Sequence, residues 1–122
     1  MAKIMIVDDS LTERRIIRSL LQENTSHTIV AEAMDGEDAI HKYKRYKPDL
    51  VTMDLNMPEM NGIDLLKVIR EKTPATEVIM VTAYASVDTA TEALRLGAVD
   101  YLLSCNLKGQ HDFRIKQCSI ET

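Results

Sequence analysis

The chain has 122 residues, 45% of them hydrophobic and 28% charged, enough to bury one core and too few for two. Its 15 Lys and Arg are scattered and outnumbered by 19 Asp and Glu, and the net charge of -4 argues against a nucleic-acid footprint. No apolar run approaches a membrane span, the first residues do not read as a signal peptide, and Cys105 and Cys118 read as free thiols of a reducing, cytoplasmic protein.

Lys3 to Val7 is dense in Ile, Met and Val and reads as a strand that stops at Asp8 and Asp9. Ser10 and Glu13 have capping-box spacing, and Ile16, Ile17, Leu20 and Leu21 recur on one face, so a helix runs from about Leu11 to about Glu23. A second strand spans Thr28 to Ala33. Asp35 and Gly36 open the next helix, with Ala39, Ile40, Tyr43 and Tyr46 inward, and Pro48 ends it. Leu50 to Met53 is a short apolar run that reads as a buried central strand, with Asp54 where it should end and a loop marked by Pro58 and Asn61-Gly62 behind it. Ile63, Leu65, Leu66 and Ile69 mark a third helix to about Lys72. Glu77 to Val81 is a fourth strand, running into Thr82. Ser86 caps a fourth helix that Gly97 ends, and Val99 to Leu103 is a fifth strand.

Strict β-α alternation with short connections implies an α/β domain, a parallel sheet covered by helices on both faces. Right-handed crossovers leave the doubly wound five-stranded order 2-1-3-4-5, the flavodoxin-like arrangement, as the simplest topology. The pattern breaks after Leu103. Residues 104–122 carry Leu107, Phe113, Ile115 and Ile120 without helical spacing, so a fifth helix is expected to be missing or irregular. The expected division is therefore a domain over 1–103 and a C-terminal tail over 104–122.

In that topology strands one and three are neighbours at the switch point, and their carboxyl ends share one crevice. Asp8 and Asp9 then stand beside Asp54. Clustered carboxylates raise one another's pKa unless a cation neutralises them, and oxygen-only ligands favour Mg2+. His27, His41 and His111 are isolated, which argues against zinc. Near such a cation Asp54 is a candidate phosphoryl acceptor, and the Thr82 hydroxyl reaches the same crevice from strand four. Asp54 alone reads equally well as a residue that ends a strand and caps a turn, and Thr82 as an ordinary β-former.

Asp8-Asp9, Met53-Asp54 with Asn56-Met57-Pro58 and Asn61-Gly62, Thr82-Ala83, and Gly97 to Tyr101 together resemble the receiver domain of two-component response regulators, similar to the single-domain chemotaxis type. The resemblance covers residues 3 to 103. It implies Asp54 as phosphoacceptor, Asp8, Asp9, Asp54 and the Asn56 backbone carbonyl as Mg2+ ligands, and Thr82 with Tyr101 as the switch pair. It further implies a histidine kinase as phosphoryl donor and a downstream protein target. The family has a lysine where this chain has Ser104, and that lysine pairs with the acceptor carboxylate. The other reading is a receiver-like binding module uncoupled from phosphorylation, self-associating as a homodimer through the strand-five region.

Overall fold

The computed structural model describes residues 2–23, 26–54, 62–72, 75–82 and 87–103. They form β1 (Ala2–Val7), α1 (Leu11–Gln22), β2 (His27–Ala33), α2 (Gly36–Tyr46), β3 (Leu50–Asp54), α3 (Gly62–Lys72), β4 (Glu77–Thr82), α4 (Val87–Arg95) and β5 (Asp100–Leu103). The sheet is parallel throughout, in the order β2-β1-β3-β4-β5 that the alternation predicts. The expected irregular fifth helix and the tail over 104–122 fall outside the described residues.

The two-residue period of the strands divides the core into two layers. Met5, Val7, Val51, Met53, Val78 and Met80 point to one side, against Ala39 and Tyr43 of α2, Leu65, Leu66 and Ile69 of α3, and Ala93 of α4. Ile4, Ile6, Ile79 and Val81 point to the other, against Ile16, Ile17, Leu20 and Leu21 of α1. Each central strand is therefore buried on both sides, which is why Leu50 to Met53 shows no alternation with exposed polar residues.

The helix starts follow from named caps. The Asp35 side chain accepts from the Asp38 N–H at 2.8 Å to start α2. Ser10 Oγ accepts from the Glu13 N–H at 3.2 Å to start α1, but the Ser10 N–H donates to Asp8 Oδ1 at 2.9 Å. The acid of the preceding strand end thus supplies what a capping-box Glu13 would have supplied. At the other end of the fold, α4 closes on Gly97 with φ +107, a conformation that L side chains rarely adopt. A Cβ there would sit 2.7 Å from Arg70 Nε, whose guanidinium donates to the Thr76 carbonyl at 2.9 Å.

β1 and β2 each begin one residue earlier than expected and β3 ends one later, and two further expectations shift. Tyr46 is exposed rather than inward, because it lies in the last turn of α2, where the chain already turns through left-handed Lys47; the Arg45 guanidinium covers its ring at 5.5 Å. β5 begins at Asp100, one residue later than expected. Val99 is exposed, although its N–H still donates to the Val78 carbonyl at 2.8 Å.

Candidate functional site

Strand register assembles the site. Ile6 pairs with Thr52 and Val7 with Met53, so the next residue of β1, Asp8, comes level with Asp54 at the end of β3. One carboxylate oxygen from each of Asp8, Asp9 and Asp54 lies within 4.8 Å of the others. Among the described residues this is the group of His, Cys, Asp and Glu side chains placed to hold a metal ion. The sequence expectation that these three acids converge is thereby met in the structure.

Their environments differ. Asp8 is buried at 3% exposure, Asp9 is exposed, and Asp54 is partly buried. Burial pushes the Asp8 carboxyl up to about 6, helped by the charges of Glu13 and Asp9 and opposed by the Ser10 N–H bond and by Arg14. Two carboxylates about 5 Å apart repel by about 3 kcal/mol at an effective dielectric of about 20, so the cluster favours a cation among its oxygens. All three donors are carboxylate oxygens, the set that suits a small hard divalent ion and not zinc.

Thr82 ends β4 and pairs with Leu103, one step beyond the Asp54–Val81 pair, while Tyr101 of β5 pairs with Met80. Thr82 therefore stands at the carboxyl edge of the sheet and Tyr101 two residues further in. Asn56, the further expected ligand, and Ser104 lie outside the described residues.

Two neighbours of the cluster, Glu13 and Arg14, escaped the sequence reading as parts of the site. Glu13 lies in the first turn of α1, close enough for its charge to act on Asp8. Arg14 donates through Nη1 to the Asp8 carbonyl at 2.6 Å and through Nε to Glu32 Oε1 of β2 at 3.1 Å. The spacing of Glu13 from the acids was legible in principle, since a helix capped at Ser10 turns its first residues back toward the strand end. The Arg14–Glu32 contact spans 18 residues and leaves no local signal.

A cavity of about 390 Å³ lies at the opposite, amino-terminal end of the sheet, lined by Tyr43, Lys44, Lys47, Pro48, Lys72 and Thr76 among others. Lys44 and Lys72 are in the last turns of α2 and α3 and Lys47 caps α2, where ammonium groups offset the negative ends of the helix dipoles. The acid cluster, not this cavity, holds the chemically reactive groups.

A family model described as the response regulator receiver domain matches residues 4–108. The chain belongs to the receiver family. Among its relatives, the chemotaxis protein CheY of Listeria monocytogenes is 38% identical over 103 residues, covering 84% of this chain and 86% of that protein. CheY of Bacillus subtilis is 41% identical over 101 residues, covering 83% of each. Of solved structures, the response regulator domain of Thermotoga maritima CheB superposes with a TM-score of 0.75 at 39% identity, covering 83% of this chain and 76% of that one. A chain of the CheX–CheY–BeF3–Mg2+ complex of Borrelia burgdorferi gives 0.78 at 32% identity, covering 83% of this chain and 76% of that one. This receiver is thus a relative of CheY and of other response regulators, a fold of two-component signalling built to accept phosphoryl on aspartate. Among the described residues no helix is long and apolar enough to cross a membrane.

Proposed function

We propose that this receiver takes a phosphoryl group from a histidine kinase onto Asp54 and later loses it to water. The observation that carries this reading is the convergence of Asp8, Asp9 and Asp54 at the carboxyl end of the central strands, within 4.8 Å of one another. In the transfer an Asp54 carboxylate oxygen attacks phosphorus, the P–N bond to the donor imidazole breaks, and its electron pair stays on the nitrogen, which takes up a proton. Hydrolysis breaks the new acyl phosphate and returns the carboxylate with inorganic phosphate. Mg2+, held by the three carboxylates and by the Asn56 carbonyl, would neutralise charge between the attacking and transferred oxygens.

The residues of the chain have separate tasks in this scheme. Asp54, partly buried, presents the nucleophile at the rim of the sheet, where a donor can approach in line. Asp8 and Asp9 supply the negative charge that draws the cation beside it. Thr82, at the end of β4, offers a hydroxyl to the transferred group, and its movement frees a path for Tyr101 on β5. With Ser104 in the place of the family's lysine, the phosphoryl group is held by one cation fewer, so coupling to a downstream protein target is weaker than acceptance itself.

Intact-mass spectrometry after incubation with Mg2+ and acetyl phosphate tests the reading, beside an Asp54→Ala chain. One phosphoryl adduct in the parent and none in the variant is the expected result. An equal adduct in both, or none in a parent that binds Mg2+, rejects it.

A further inference from the structure

The Asp8 carbonyl lies one residue past the β1–β3 ladder, whose last pair is Val7 with Met53, so it needs a donor from elsewhere. Arg14 provides that donor at 2.6 Å from Nη1, while its Nε is held by Glu32 Oε1 at 3.1 Å. We propose that Arg14, aimed by Glu32, is a positioning residue for the acid cluster, fixing the Asp8–Asp9 peptide from which two of the three carboxylates project. This rests on the cluster being the phosphorylation site described above.

The guanidinium is planar and rigid, so a group that orients Nε also orients Nη1. Glu32 is well fixed for that task. Its other oxygen accepts from Arg18 Nε at 2.7 Å, and its own carbonyl accepts from Lys42 Nζ at 2.6 Å. Burial would raise the Glu32 carboxyl, but the bonds and charges of Arg18 and Arg14 outweigh it and hold it below the usual range, so it stays ionised as an acceptor. Arg14 itself is enclosed, with 12% of its side chain exposed, against 36% for Arg18. In the preceding peptide unit, Val7–Asp8, the Asp8 N–H donates to the Ala33 carbonyl at 3.0 Å. The backbone at Asp8 is thus clamped to β2 directly by its N–H, and again through Arg14 and Glu32 by its carbonyl.

A network that merely ties α1 to β2 would have no need of Asp8. Arg18 does that alone, bonding Glu32 from the next turn, with no bond to the cluster among those described. Arg18 is therefore the internal control. Lysine at position 14 keeps the charge but presents a single point of donation, which cannot serve Glu32 and the Asp8 carbonyl in one fixed plane.

The experiment is isothermal titration of Mg2+ into the full chain, its Arg14→Lys, Glu32→Gln and Arg18→Met variants and the Arg14→Lys/Glu32→Gln double variant, each checked by thermal melting. Partners that orient metal-binding groups change affinity about 10–100-fold when removed, so Arg14→Lys is expected to weaken Mg2+ about tenfold. Arg18→Met should stay within about twofold, and the double variant should bind no more weakly than Arg14→Lys alone, because both act through one plane. Equal weakening by Arg14→Lys and Arg18→Met, additive losses in the double variant, or an unchanged affinity in Arg14→Lys would overturn the assignment. Should Arg14→Lys not fold, Glu32→Gln decides: several-fold weaker binding supports the clamp and parent-like binding rejects it. A parent that does not bind Mg2+ removes the phosphorylation reading and this one together, whereas a binding parent with unaffected variants removes the clamp alone.

Discussion

Replacing Asp8 by Asn should stabilise the metal-free chain at neutral pH, although it removes a functional carboxylate. The buried carboxyl is raised from 3.8 to about 6, and each tenfold in proton affinity is worth about 1.4 kcal/mol. The full shift corresponds to about 3 kcal/mol, and solvent at the rim of the crevice cuts the usable part to about 2 kcal/mol. The sign follows from proton uptake. Between the unfolded and folded values the native state binds more protons at Asp8 than the unfolded chain does, so stability from this group falls as pH rises. It is fully present below about pH 4 and lost above about pH 6. Asn carries no charge to desolvate and its Oδ1 still accepts from the Ser10 N–H, the bond that shapes the turn. Urea unfolding in EDTA should therefore show the variant about 2 kcal/mol more stable at pH 7.5, with the difference shrinking toward zero near pH 4. Adding Mg2+ at about ten times its dissociation constant should return about 1.4 kcal/mol to the parent and little to the variant. A variant less stable than the parent at pH 7.5, or a difference that does not change with pH, would show that Asp8 is not held at a desolvation cost.

Further consequences concern the frame around the site. Gly97→Ala forces an L side chain into φ +107 and pushes on Arg70, so a loss of about 1–2 kcal/mol is expected by urea unfolding, and a neutral result would contradict the backbone at the end of α4. Asp35→Ala removes the α2 cap and should cost about 1 kcal/mol without changing Mg2+ affinity. Weakened Mg2+ binding in that variant would tie α2 to the cluster in a way that these contacts do not.

The fold was legible because the strands are short and rich in apolar residues, with helical periodicity between them, so alternation alone limited the topologies. The acid cluster was legible for a related reason. Asp8 and Asp54 each close an apolar run, and adjacency of strands one and three makes two distant acids neighbours. Tyr46 misled because periodicity continues to the last turn of a helix, whereas burial stops where the chain turns away at Lys47. Arg14 and Glu32 were invisible because nothing local in either segment records which residue of β2 faces which turn of α1. That pairing is set by the β1–β2 register, which slips by one residue between Ile4 and Met5. The Ser10 cap shows the limit of motif reading at its finest: the spacing to Glu13 marked the helix start, but Asp8 took the Ser10 N–H.

The central claim is that Asp54 is the atom donor to phosphorus, and borohydride trapping tests it most directly. The chain, incubated with Mg2+ and acetyl phosphate, is reduced with borohydride, which converts an aspartyl phosphate to homoserine, and is then digested and sequenced by mass spectrometry. Homoserine at position 54, dependent on Mg2+ and absent from Asp8→Asn, is the predicted result. Homoserine at Asp8 or Asp9 instead, or an unmodified Asp54 in a chain that binds Mg2+, would contradict it.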